Sequence, residues 1–430
     1  MRSLKLTFLI PFLFAPGFCP DTLIAQPARN EPLTELHPRT SLPNFFSKLH
    51  RGSPVTIAYF GGSITAAAGG WRDQSARWLQ DQFPKAEVRQ INSSIGGTGS
   101  DLGVFRLQND VLSHHPDLVF VEFAVNDHGL APERILRTME GIVRQIRKAD
   151  RTTDICFVYT LTATSAPTLV DGKLTNAMAA MEKVADHYGI PSIQLGLEVV
   201  SLFRQGKLLF SGVPEEHPDK VVFSKDNVHP YPQTGHRLYA EALARSLEKL
   251  KADTRTRKYK LVRPLSGDNW ENARMIPAAE LAQNGQWLQL SAESDSVARQ
   301  LRERFPVLLK SETPGASLTL KFKGSVAGLY DIAGPGCGQY EITIDGQSPD
   351  GQSPKAYPRF DRYSTYYRSH YFFLPEMEDG QHVIKWEVSG EKLDKMAILK
   401  QGANLPGDLR KYEPNAVYAG YVLLLGEPQP

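Results

Sequence analysis

The sequence predicts two parts of different class: an α/β domain built on a parallel sheet, followed by an all-β domain. Three observations carry this. Between residues 55 and about 250, short apolar stretches alternate with amphipathic helical ones. Two of the apolar stretches are unbroken runs, as expected of strands covered by helices on both faces. Beyond residue 264 the helical spacing disappears, and short alternating strands separated by turn residues take over. A length of 430 residues also exceeds what one core usually serves.

The N-terminus reads MRSLKLTFLIPFLFAPGFC. Arg2 and Lys5 precede an apolar run from Leu6 to about Phe18, and the region near Ala25 suits cleavage, so residues 1–25 are expected to be a signal peptide. Pro11 and Pro16 interrupt the run and count against an anchor helix; Cys19 lacks the small residues that precede a lipidated cysteine. Residues 26–50, rich in Pro and polar groups, read as a leader. The domain expected over 51–252 then has strands at 55–60, 87–92, 118–125, 155–160 and 192–194. Helices are predicted over 71–82, 100–113, 132–148, 174–188, 197–205 and 233–251. Alternation of this kind with right-handed crossovers gives a parallel sheet between helices. A charged stretch, KADTRTRKYK, introduces a linker over 253–263, and 264–430 reads as a β-sandwich or jelly roll.

Composition narrows the function. With 49 basic and 47 acidic residues the net charge is +2, and no basic run appears, so nucleic acid is not the expected partner. After signal removal no membrane span is expected. The two remaining cysteines, Cys156 and Cys337, form no metal-ligand spacing or disulfide framework. Cys156 lies in an apolar strand as a buried thiol. No metal and no cofactor are expected.

The polar residues that matter fall at strand ends. Ser63 follows the first strand in YFGGSITAAAGGW, Gly96 and Gly97 follow the second, and Asn126 closes the third in FVEFAVNDHG. Loops at the carboxyl ends of parallel strands form the ligand crevice. A serine hydroxyl becomes a nucleophile when a base takes its proton, and a histidine serves best when a carboxylate holds its other ring nitrogen. Asp226 and His229, three residues apart in DNVHP, provide that pair. Acyl transfer also requires donors at the developing oxyanion; the N–H groups of Ser63 and Gly97 and the Asn126 amide are the candidates.

These four blocks resemble those of the SGNH/GDSL hydrolase superfamily. GGSIT matches the nucleophile block, NSSIGGT is similar to the glycine block, AVND to the asparagine block, and DNVHP to the D-x-x-H block. The resemblance covers about 54–250. It implies a flavodoxin-like three-layer domain, with Ser63, Asp226 and His229 as triad and Ser63, Gly97 and Asn126 as oxyanion hole. Two departures stand out: Gly62 where the family usually has Asp, and Ala124 where it usually has Gly. The signal and the appended β-domain resemble secreted or periplasmic bacterial enzymes that deacetylate polysaccharides. The resemblance thus implies an O-acyl, foremost O-acetyl, carbohydrate esterase. Rival readings are a lipase or thioesterase on the same triad, a glycan-binding protein on a decayed scaffold, and a glycoside hydrolase using Glu122 and Asp127.

Other residues receive secondary readings. Trp71 and Arg72, just past the serine turn, are candidate pocket residues. Tyr363, Tyr366 and Arg368, in RFDRYSTYYRSHYFF, are candidate carbohydrate contacts. Glu122 reads as a paired buried carboxylate, Asp127 as a loop brace, Asp101 and Arg106 as a structural pair, and His114 and His115 as a helix-end feature favoured by the dipole.

Overall fold

The computed structural model describes residues 33–349, 351, 355–400 and 408–430. The expected signal peptide, its cleavage region and Cys19 lie outside the described residues.

The first part is a six-stranded sheet. Its strands are β1 (Leu36–His37), β2 (Val55–Gly61), β3 (Val88–Asn92), β4 (Leu118–Glu122), β5 (Asp154–Tyr159) and β6 (Ser192–Gln194). The order is β1-β6-β5-β4-β2-β3, with β2 to β6 parallel and β1 antiparallel at the edge. Taken without β1, this is the flavodoxin-like order, and the chain switches direction between β2 and β4. The helices are α1 (Pro43–His50), α2 (Ser63–Ala66), α3 (Trp71–Gln82), α4 (Ser100–Asp110), α5 (Pro132–Ala149), α6 (Ala166–Val170), α7 (Asn176–Tyr188), α8 (Leu197–Arg204) and α9 (Gly235–Leu250). Every residue of β4 and β5 is buried, which explains their unbroken apolar runs: helices cover both faces.

The leader reading of residues 26–50 needs correction from Leu33 onward. β1 joins the sheet edge, and α1 buries Phe45, Phe46 and Leu49 in the main core. Pro43, one of the prolines that suggested a loose segment, opens α1 instead, where a missing N–H has no cost. The third predicted strand stops at Glu122 rather than at 125, because residues 123–125 leave the sheet to carry Asn126 into a 3₁₀ turn. A further short parallel pair, β7 (Leu208–Ser211) and β8 (Val221–Ser224), leads into the Asp226 loop.

The second part is a ten-stranded antiparallel sheet. It comprises β9 (Ala273–Pro277), β10 (Ala282–Asn284), β11 (Leu288–Leu290), β12 (Leu308–Ser311), β13 (Ser317–Ala333), β14 (Gln339–Ile344), β15 (Lys355–Pro358), β16 (Arg368–Phe373), β17 (Gly380–Val388) and β18 (Val417–Gln429). Two short helices, α10 (Ser296–Leu301) and α11 (Lys395–Lys400), are inserted. The first half of β13 pairs with β17 and the second half with β16, while β18 runs along it through two register shifts. Such bulges bend strands, and here they carry β13 and β18 from one half of the sheet into the other.

The two parts share one core. Along β13, Val326, Tyr330 and Ile332 belong to the apolar cluster of the α/β part, whereas Ala327 and Leu329 belong to the cluster inside the β part. β18 divides in the same way, with Leu423 on one side and Val422 and Leu424 on the other. Its run YVLLL is therefore apolar on both faces. The seam contains Phe105 of α4, Trp270 and Phe373, with ring centroids 5.5–6.0 Å apart. Gly141 of α5 lets the Trp270 backbone approach; a Cβ there would lie 2.7 Å from its carbonyl carbon. Residues 253–263, read as a linker, contain no helix or strand, but they are anchored: the Tyr259 N–H donates to Arg151 O at 2.8 Å, and its hydroxyl to Asp154 at 2.5 Å. Buried Glu140 then accepts from the N–H groups of Leu265 and Ser266 at 2.5 and 2.7 Å.

A shared core predicts shared unfolding. Trp270→Ala is expected to destabilise the whole chain by about 3–5 kcal/mol. In calorimetry both parts should still melt in one transition, lowered in temperature; a mutant in which only the β part melts early would contradict this.

Candidate active site

The switch between β2 and β4 brings three loops to one rim. A cleft of about 810 Å³ opens there, and Ser63, Gly96, Gly97, Asn126 and His229 line it together. Ser63 opens the one-turn helix α2 immediately after β2. Gly97 has φ +72°. A Cβ there would touch nothing within 4 Å, so the left-handed backbone rather than lack of space calls for glycine. The structure thus assembles the residues that the strand-end pattern singled out.

The Asp226–His229 segment is a closed loop. Ser224 and Pro230 bridge its ends, and Tyr231 N–H donates to Phe223 O at 2.8 Å. Asn227 takes φ +67°, which Asn tolerates in tight turns. This folds the Asp226 carboxylate back over the loop. One oxygen accepts from the N–H groups of Val228 and His229 at 3.1 and 2.7 Å. The other meets His229 Nδ1 at 2.8 Å. Burial would raise the Asp226 pKa, but the backbone N–H and ring of His229, with the N–H of Val228, outweigh it and hold the carboxyl at about 2. An ionised carboxylate only accepts hydrogen bonds, so Nδ1 carries the proton and Nε2 is the acceptor. Nε2 lies 2.9 Å from Ser63 Oγ. The geometry is that of a hydroxyl poised to lose its proton to an oriented imidazole.

Gly62 explains one departure from the family pattern. A Cβ at that position would lie 2.0 Å from Asn126 Oδ1 and 3.1 Å from Nδ2. The missing side chain is what lets the Asn126 amide stand beside Ser63. Asp127, next in sequence, is fully buried and accepts from the N–H of Ser100 at 2.9 Å, holding the start of α4 behind the glycine loop. This agrees with its reading as a brace; burial raises its carboxyl to about 7. Glu122 is 1% exposed and accepts from the hydroxyls of Thr65 and Thr160 at 2.8 and 2.7 Å. Neither carboxylate lines the cleft, so they do not form a pair flanking a glycosidic bond.

Several secondary readings are corrected. Trp71 is fully buried with its ring against Tyr59 and Phe120, at 5.3 and 6.1 Å, and is a core residue. Arg72 is buried and binds Gln90 at 2.7 Å and Asp73 at 2.6 Å, so it faces away from the cleft. Asp101 and Arg106 are not a pair, since residues five apart on a helix point to different sides. Arg106 bonds Asp110 at 2.8 Å and lies over the Phe60 ring at 4.4 Å, whereas Asp101 takes the Tyr371 hydroxyl at 3.0 Å. Tyr363 is exposed but stacks with Arg362, and Arg368 pairs with Asp361; neither lines the cleft. Tyr366, 58% exposed, does line it, and so brings a residue of the β part to Ser63. The buried thiols of Cys156 and Cys337 agree with a structural role. No group of side chains among the described residues could hold a metal ion.

Sequence reasoning missed one wall of the cleft. Thr160, Thr162, Thr164 and Ser165, from TLTATS after β5, line it with Thr175 and Met178. Ala163 N–H donates to Asn227 O at 2.9 Å, which ties this wall to the histidine loop. The available signal was the same as for Ser63: a polar stretch at the carboxyl end of a parallel strand.

Fold and site together set a hydrogen-bonded serine, histidine and aspartate at the carboxyl end of a parallel α/β sheet. Residues 59–238 match the GDSL-like lipase/acylhydrolase family and form a domain of that kind, an ester hydrolase by class. Among solved structures the chain resembles a two-domain esterase active on acetylated mannans, at TM-score 0.69 and 21% identity over 90% of this chain and 96% of that one. The same esterase crystallised with mannopentaose gives TM-score 0.67 and 20% identity, over 90% and 95%. At these identities the likeness establishes the fold, including the β part. Curated protein sequences gave no match.

Gly62→Ala is expected to push the Asn126 amide aside and to lower kcat by about 10–100-fold with little change in KM, the effect of losing a donor used in the transition state. Steady-state kinetics on an aryl acetate checks this, and wild-type kcat would contradict it.

Proposed function

We propose that the protein is a secreted or periplasmic serine esterase that removes O-acyl groups, O-acetyl foremost, from polysaccharide. The observation that carries the reading is the unbroken hydrogen-bonded chain from Asp226 through His229 to Ser63 on the floor of the cleft. In the proposed reaction Ser63 Oγ attacks the ester carbonyl while His229 Nε2 takes its proton. Asp226 keeps the imidazole in the required tautomer and steadies the imidazolium. The negative oxygen of the tetrahedral intermediate is held by the N–H groups of Ser63 and Gly97 and by the Asn126 amide. Ser63 opens a helix, where first-turn N–H groups have no intrahelical acceptor. Collapse breaks the C–O bond to the sugar, whose oxygen takes the proton from His229. Water then attacks the acyl-enzyme with His229 again as base, releasing the acid and restoring the Ser63 hydroxyl.

The carbohydrate substrate is supported by two features. The structurally similar esterase acts on acetylated mannans, and Tyr366 presents an exposed ring at the cleft, suited to stacking on a sugar face. Export is supported by the charged and apolar character of residues 1–25.

The reading is tested by acetate release from a panel of acetylated mannan, xylan and pectin. Wild type should release acetate, and Ser63→Ala should lose at least about 10⁴-fold in kcat. Absence of ester hydrolysis by wild type, or full activity of Ser63→Ala, would overturn the mechanism. Activity that rises with acyl chain length would replace the acetyl reading with a lipase one. Asp226→Asn should fold normally and lose about 10³–10⁴-fold in kcat, because the amide favours the wrong histidine tautomer.

A further inference from the structure

We infer that Glu122 is the positioning residue for the nucleophile: its carboxylate, buried beneath the cleft floor, bolts the loops after β2 and β5 to β4 and so fixes where Ser63 stands. The inference rests on the reading of Ser63 as nucleophile. Ser63 begins a helix of four residues, far shorter than a helix that is stable by itself. Its place must therefore be set from outside. Thr65, two residues on, donates its hydroxyl to one Glu122 oxygen at 2.8 Å, and the N–H of Gly62, just before Ser63, also donates to this carboxylate. The other oxygen takes the Thr160 hydroxyl at 2.7 Å. Thr160 lines the cleft, and Asn126 leaves the same strand four residues after Glu122.

The backbone is shaped for this contact. A Cβ on Gly61 would lie 2.6 Å from Glu122 O and 2.9 Å from Thr65 Oγ1. Only glycine lets β2 and Thr65 close onto the carboxylate. Glu122 has no cationic partner among the described residues: its donors are the two hydroxyls and the N–H group. The ionisable groups that act on its surroundings are Asp127 and Tyr239, while Arg106, which reaches Gly61 O at 3.4 Å, is paired with Asp110. Burial without a cationic partner is costly and raises the Glu122 carboxyl to about 7, and apolar side chains would fill the space more cheaply if packing were its only task. What the carboxylate supplies instead is a fixed acceptor with two oxygens facing two loops.

The test uses the full chain with three readouts: kcat and KM on an aryl acetate, the rate at which an organophosphonate labels Ser63, and the thermal midpoint. Glu122→Gln and Thr65→Val should each lower kcat and labelling rate by about 10–100-fold with KM within about twofold, as expected for a nucleophile displaced by a fraction of an ångström. Thr65→Ser, which keeps the hydroxyl, should restore most of the rate. The double variant Thr65→Val/Glu122→Gln should be no slower than the worse single one, because the bond that Thr65→Val removes is one of those that Glu122→Gln disturbs. If Glu122→Gln does not fold, the Thr65 pair carries the test alone. Wild-type labelling with unchanged rates in folded Thr65→Val would overturn the inference and leave the nucleophile reading intact. A rise in KM without loss of kcat would overturn it too. If wild type is not labelled, the nucleophile reading falls and the inference with it.

Discussion

The cleft is referenced to one strand. β4 is buried on both faces and flanked by β2 and β5, so it cannot shift without moving the sheet. Glu122 ends it and Asp127 follows it, and through these two side chains the serine turn, the Thr160 wall and the start of α4 are tied to a common base. The 2.9 Å contact between Ser63 and His229 depends on that base. Two loops separated by 166 residues meet within hydrogen-bond reach: one leaves β2, and the other is tied to the loop after β5 through the Ala163 N–H and Asn227 O.

The β part adds a second constraint from outside. It covers α4 and α5 with apolar side chains, joins the Asp101 region through Tyr371, and delivers Tyr366 to the rim of the cleft. Asp101 lies four residues after Gly97. The β part thus buttresses the helix that follows the glycine loop, as well as completing the surface a substrate meets.

Much of this was legible in the residues. The alternation of apolar strands and amphipathic helices gave element bounds close to those observed; α3 ends at Gln82 as the spacing predicts. The strand-end rule placed Ser63, Gly97 and Asn126, and the three-residue spacing in DNVHP placed Asp226 and His229, without knowledge of distances. It failed where a residue's side of the chain decides its role. Trp71 and Arg72 follow the serine turn closely, but the first turn of α3 points them into the core. Sequence distance from a catalytic residue says little about direction. The core shared by the two parts was also invisible, because a strand apolar on both faces reads the same whether its second face meets a helix or another domain. The effect of Gly62 on Asn126 was hidden as well: the two residues are 64 positions apart, and only their van der Waals contact links them.

The seam of Phe105, Trp270 and Phe373 bears on how such a chain can be inherited. Binding modules joined by free linkers can be exchanged among enzymes by recombination, since each carries its own finished surface. Here neither part has one. A crossover near residue 263 would join an α/β part to a β part whose strands expose apolar residues on the facing side, and both would be unfinished. Substitutions at the seam on α4 or α5 therefore call for answering changes in the β part. The whole chain, rather than the catalytic half, is the object on which selection for a new substrate would act.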